Sequence, residues 1–152
     1  MTNDGRGPLA EELRSAAVPA QALIVLVALG MAGYAALVVW STVTGYEYFA
    51  LSAPRLAALL ATTALWLATL GVAWRIANQL SAGGEVFSTQ SLDDLKLAFK
   101  LLMGIVAVSA GGGLAAGGRV DSPALGAACA LGVFIAYYKY GCVLQRQDDE
   151  TV

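Results

Sequence analysis

Residues 15–46 read SAAVPAQALIVLVALGMAGYAALVVWSTVTGY, without one charged side chain. Three further stretches share that property: 56–74, 101–118 and 122–138. The hydrocarbon core of a bilayer is about 30 Å thick and takes about 20 apolar residues of helix, with about 17 as the lower end. A Lys, Arg or Asp at its centre costs about 2.5–3.5 kcal/mol. Four such stretches predict an all-α polytopic membrane protein, its four transmembrane helices packed as a bundle. The spans are expected at about 21–40, 55–74, 99–117 and 123–140.

Outside them little chain is left. A polar lead occupies 1–18, the transmembrane domain 19–144, and an acidic tail without regular structure 145–152. Of the residues, 58% are hydrophobic and 13% charged, against about 25% charged in soluble domains. The net charge of −2 and the mixing of acids with bases argue against direct nucleic-acid binding, which needs a basic surface to neutralise phosphates. Arg6 and Arg14 before an apolar run resemble a signal peptide. That run far exceeds the roughly 7–15 residues of a secretory core, so a retained span is expected.

Orientation follows from Lys and Arg, which are held back on the cytoplasmic side during insertion. With four spans, Arg6, Arg14, Arg75, Lys96, Lys100, Lys139 and Arg146 share one side, and Arg55 and Arg119 the other. Both termini and the middle connection are therefore expected in the cytoplasm, the bilayer being a bacterial inner (plasma) membrane.

Local signals place the helix ends. Pro19 suits a first helical turn, where its missing N–H costs nothing. Ser52 and Pro54 have the spacing of an N-cap and an early helix position. Tyr46, Tyr48, Phe49 and Tyr137, Tyr138, Tyr140 flank spans, as headgroup-level aromatics do.

The connection 75–100 is the least generic segment. Gly83 and Gly84 break the helix leaving the second span. Ser88 or Ser91 then caps a new one, with Asp94 completing a capping-box spacing to Ser91. Asp93 and Asp94 are expected in its first turn, where the helix dipole favours negative charge. At 3.6 residues per turn Leu92, Leu95, Phe99 and Leu102 share one face, with Asp93, Lys96 and Lys100 opposite. This predicts a short amphipathic helix before the third span, its lysines reaching for headgroups. Phe87, Ser88, Leu92, Leu95, Lys96 and Lys100 are the candidate partner-binding residues.

Gly83 or Gly84, then Phe87-Ser88, a polar turn ending at Ser91, and Leu95-Lys96 just before an apolar helix resemble the motif of a bacterial four-span membrane family, called domain of unknown function 2975. Ser91 stands where that motif has Asn, and extra residues separate the glycines from Phe87. The motif covers about twenty positions, the span count the whole chain. The resemblance implies a membrane protein with no assigned enzyme activity, and genomic association with a small helix-turn-helix regulator.

Chemistry is limited by residue type. The chain has 0 His and 2 Cys. Bis-His haem, His-containing zinc sites and His general bases are thereby excluded. Cys129 and Cys142 have no C-x-x-C spacing. Cys129 is expected as a small packing residue and Cys142 as a reduced juxtamembrane thiol. No carboxylate lies within the four stretches, where an ion-coupled carrier would be expected to hold one. The expectation is no catalytic residue, no metal and no cofactor. Thr62, Thr63, Thr69 and Ser109 are expected to bond to carbonyls of their own helices. Gly113 with Gly117, and Ala128 with Gly132, are small-xxx-small steps for helix packing or for a homo-oligomer.

Together these features point to a non-catalytic membrane protein that scaffolds, senses or sequesters a cytoplasmic partner through 75–100. The alternative is a small transporter or channel subunit acting as an oligomer.

Overall fold

In a computed structural model of the chain, the described residues form four helices: α1 (Pro8–Thr44), α2 (Ala53–Ser81), α3 (Thr89–Ala116) and α4 (Ser122–Glu150). It describes residues 8–46, 51–81, 89–116 and 122–150, at positions such as 8–14, 112–116 and 144–150 by their backbone alone. The expectations for Tyr48, Phe49, Gly83, Gly84, Phe87, Ser88 and Gly117 lie outside the described residues.

Several helix ends differ from the sequence expectation. α1 begins at Pro8, so Pro19 falls inside it rather than in its first turn. Residues 9–17, LAEELRSAA, are mostly strong helix formers, and they carry the helix into the polar lead. The cost is the one backbone hydrogen bond that Pro19 cannot donate. At 1.5 Å per residue the 37-residue α1 is about 55 Å long, well beyond one hydrocarbon core. α4 likewise continues through the acidic segment to Glu150. α3 is one uninterrupted helix from Thr89, so the amphipathic segment is its first turns rather than a separate element.

Other ends follow expectation. The Ser52 carbonyl accepts from Leu56 N at 2.9 Å, as an N-cap carbonyl does, and Pro54 falls in the first turn of α2. At the end of α1, Gly45 takes φ +72° and Tyr46 N donates to Ser41 O at 2.9 Å. This is a Schellman closure, and its left-handed residue is the glycine that L side chains would strain.

Successive helices run antiparallel. Gln21 meets Asn78, and Leu51 N donates to Thr42 Oγ1 across the first connection. Arg75 meets Asp94 across the second, and Gly104 lies against Leu65. Between α3 and α4, Gly132 lies against Phe99. Close approach joins α1 to α2, α2 to α3 and α3 to α4; among the described residues none joins α1 to α3 or α4, or α2 to α4. The bundle expected from the sequence would also bring α1 against α4.

That serial order explains the burial pattern. The buried and half-buried positions of α1 include Ala17, Gln21, Ile24, Ala28, Met31, Ala35, Val38 and Thr42. Their alternating steps of four and three make a narrow seam of the coiled-coil kind. α3, touched from two sides, buries Ser91, Asp94, Leu95, Ala98, Leu102 and Ile105. The core is Leu102, Ile105, Ala124 and Ala128, with Leu65, Trp66 and Phe99 packed against it.

Among the described residues, three helices are long and apolar enough to cross a membrane, over Ala17–Thr44, Ala53–Gln79 and Pro123–Gly141. Only 11% of the apolar window of α1 is buried, and Leu23, Leu26, Leu29, Leu37 and Val43 are exposed. Water-soluble monomers do not carry apolar surface on this scale; lipid satisfies it without cost. Among the described residues α2 and α3 each have neighbours on two sides.

Candidate functional site

The densest group of polar side chains lies where α2 and α3 approach their connection. The Asp94 carboxylate, with its side chain 6% exposed, accepts from Arg75 Nη2 at 3.1 Å. Its other oxygen accepts from Gln79 Nε2 at 3.5 Å. Ser91 Oγ donates to Gln79 Oε1 at 3.0 Å. Gln79 therefore bridges two residues of α3, and both Asp94 oxygens are engaged. A buried carboxylate without partners would cost several kcal/mol; here every buried side-chain polar atom among the described residues has a partner. On the other side of α2, Gln21 Nε2 of α1 donates to Asn78 Oδ1 at 2.7 Å. Polar side chains of α1, α2 and α3 thus meet at one end of the molecule.

This corrects the Ser91 alternative of the capping expectation and the placing of Asp93 and Asp94, while the Ser88 alternative lies outside the described residues. Thr89 opens α3, which puts Ser91 inside the first turn and Asp93 and Asp94 one turn deeper, with no acid in the first turn. Asp94 serves interhelical pairing instead of the helix dipole. Asp93 remains outside and takes the Lys96 ammonium at 2.8 Å, an exposed pair of little energetic weight. The Arg75–Asp94 pair had a readable signal. In an antiparallel pair, residues equidistant from the turn face each other. Arg75 and Asp94, Gln79 and Ser91, and Leu65 and Gly104 are each centred on residues 84–85.

Of the candidate partner-binding residues, Leu95 is buried and Leu92 half-buried on the face turned to neighbouring helices. Both are occupied by packing within the chain. Lys96 is half-buried and paired, and Lys100 is exposed. The amphipathic reading of this face holds, with Leu95 and Leu102 inside and Asp93 and Lys100 outside. Lys100 lies six residues beyond Asp94 towards the middle of α3, about 9 Å along the axis. Its Cα–Cβ bond tilts back towards the helix N-terminus, which aims the long side chain at the polar end.

The small-residue step on α4 is used for packing. Ala128 is 1% exposed, and a Cβ built on Gly132 would meet Phe99 Cε2 at 3.4 Å. Gly104, which the sequence reading passed over, makes the matching approach of α3 to α2, with Leu65 3.6 Å from a built Cβ. Gly113 is described only by its helical backbone. Cys129 departs from expectation. It is exposed and free rather than packed, because it stands 100° around the helix from Ala128 and turns out of the seam. Thr62 and Thr69 hydroxyls bond the carbonyls of Ala58 and Leu65 at 2.8 and 2.9 Å, and Ser109 that of Val106 at 3.0 Å, as expected. Among the described residues no group of three His, Cys, Asp or Glu side chains is placed to hold a metal ion.

No family model, no curated protein and no solved structure matches this chain.

Proposed function

We propose that this chain is a four-span protein of the bacterial inner membrane, with both termini and residues 75–100 in the cytoplasm. We propose further that it has no catalytic role and scaffolds, senses or sequesters a cytoplasmic partner through that connection. The observation that supports this reading is the α2–α3 clasp. A tether between two spans has no need of a buried ion pair bridged by Gln79. Such a clasp fixes the two helix ends from which residues 82–88 depart, and with them the outward face of Asp93, Lys96 and Lys100. The resemblance carried by Phe87, Ser88, Leu95 and Lys96 makes a small helix-turn-helix regulator the partner class to seek, DNA contact being left to the regulator. No cofactor belongs to this function.

The test is affinity recovery of the tagged chain from native membranes. A co-purifying soluble regulator is expected. Phe87→Ala, and Lys96 and Lys100 changed together to Glu, should leave insertion intact and reduce partner recovery. Full recovery with both variants sinks the proposal. The second reading, a transporter or channel subunit acting as an oligomer, draws on the serial order of helices, which among the described residues leaves α1 and α4 each with a single neighbour. Ion-dependent flux into liposomes carrying the purified chain would favour it.

A further inference from the structure

Leu65, Val72 and Gln79 of α2 are spaced by heptads and are buried or half-buried, and so are Ser91, Ala98 and Ile105 of α3. Seven residues bring a helix round to within about 20° of the same face, so each set makes one seam. The Ser91–Gln79 bond and the approach of Gly104 to Leu65 show that the two seams face each other. Counted from the turn, Val72 then stands at the height of Ala98, and Leu65 at that of Ile105. Two of the three layers are aliphatic. Polar chemistry is confined to the third, where Arg75 and Asp94 flank Gln79 and Ser91.

Aliphatic layers hold a register poorly in a bilayer. A slide of one heptad, about 10.5 Å, exchanges one Leu, Val or Ala contact for another, in a solvent as apolar as either. The connection does not prevent it. Residues 82–88 join Ser81 to Thr89, and at about 3.3 Å per residue that path reaches about 26 Å. A one-heptad slide between helices about 10 Å apart needs only about 14 Å. The polar layer is what resists. A slide in one direction carries Asp94 to the height of Ala68, and in the other it carries Arg75 to that of Leu101. Either way the pair is broken and one charge is left among apolar neighbours, the unfavourable outcome for a buried ion pair. A single polar position in a coiled-coil seam acts alike, specifying register while lowering stability.

We propose that the layer of Arg75, Gln79, Ser91 and Asp94 is a register lock. It selects one sliding position of α3 against α2 from several that the aliphatic seam accepts, and so sets the height of the connection 82–88. Its role is selection rather than strength. Replacing the whole layer by apolar residues leaves no orphaned charge, so stability should be kept or raised while the single register is lost. The lock acts within the chain and needs no soluble partner, so failure of the partner recovery leaves it standing.

The test is disulfide trapping of the full chain in lipid vesicles, in a background carrying Cys129→Ala and Cys142→Ala. Leu65→Cys is combined with Gly104→Cys, which reports the observed register, and separately with Leu97→Cys or Gly111→Cys, one heptad to either side. With the wild-type layer only the 65–104 pair should close, since a disulfide needs Cα atoms within about 7 Å. With Arg75→Met, Gln79→Leu, Ser91→Ala and Asp94→Leu together, a 65–97 or 65–111 cross-link should appear. Two registers of equal free energy are equally populated, so the initial rate of 65–104 closure should fall about twofold. Thermal loss of helix signal should come no earlier than in the wild type. Arg75→Met with Asp94→Leu alone keeps the Gln79–Ser91 bond, covers misfolding of the fourfold variant, and should show the same slipped cross-link. Closure of a slipped pair with the wild-type layer would overturn the proposal. So would closure of 65–104 alone in every apolar variant that keeps its helix content, or earlier unfolding with the register unchanged, the mark of a clasp that only adds strength.

Discussion

Asp94 and Asp93 are neighbours with opposite fates, and the difference is one of position on the helix. Asp94 faces α2 and is 4% exposed, while the Asp93 side chain stands in solvent beside Lys96. Removing a buried, hydrogen-bonded carboxylate strips partners from Arg75 and Gln79 at once. Asp94→Ala should therefore cost about 1–3 kcal/mol, below the about 3–5 kcal/mol of a fully buried pair because Arg75 is half in solvent. Asp93→Ala or Lys96→Ala should change stability by about 0–1 kcal/mol. Unfolding of the lipid-reconstituted chain, followed by loss of helix signal, measures both. Equal effects of the two aspartates would show that the clasp contributes nothing.

At the scale of the element, the four helices are held by how closely they approach rather than by how apolar they are. Lipid tails are as apolar as leucine, so association within a bilayer depends on van der Waals contact at small residues. Gly132 and Ala128 let α4 approach Phe99 and the α3 core, and Gly104 lets α3 approach Leu65. Gly132→Leu should separate α4 from α3 and destabilise the chain by about 1–3 kcal/mol, the usual cost of overpacking. Gly132→Ala should be close to neutral, since its Cβ meets only the edge of one ring at 3.4 Å. Gly30 and Gly33 are the controls. A Cβ built on either would meet nothing within 4 Å, so Gly33→Leu should be tolerated. The readout is thermal loss of the monomeric peak in detergent; equal tolerance of Leu at 33 and at 132 would refute the assignment of α4's packing face.

For the whole molecule, the decisive quantity is which end of the helices faces the cytoplasm. Seven basic residues against two predict that both termini and the α2–α3 connection are inside. Reporter fusions after Gln79 and after Val152 should be active only with a cytoplasmic reporter, and periplasmic activity at either point would reject the topology. A chain with no histidine and no paired cysteines should also purify without bound chromophore or transition metal. A Soret band, or one equivalent of zinc per chain by elemental analysis, would contradict it.

What the sequence determined by itself is the class of solvent this chain is built for. Helix type and the approximate spans are local properties, set by runs of apolar residues against the cost of charge in hydrocarbon, and they need no knowledge of neighbours. The Ser52 cap and the outward turn of Lys100 are local in the same sense. Helix extension at Pro8 and Glu150, the continuity of α3, and the burial of Asp94 are different in kind. Composition marked residues 9–17 and 145–150 as polar, but polarity decides solvation and not backbone conformation, so helix could continue through both. The fate of Asp94 depends on Arg75 and Gln79 arriving from another helix, and that of Cys129 on which side of α4 meets α3. Side-chain partners across helices are fixed by register and crossing, and only the tertiary structure holds those.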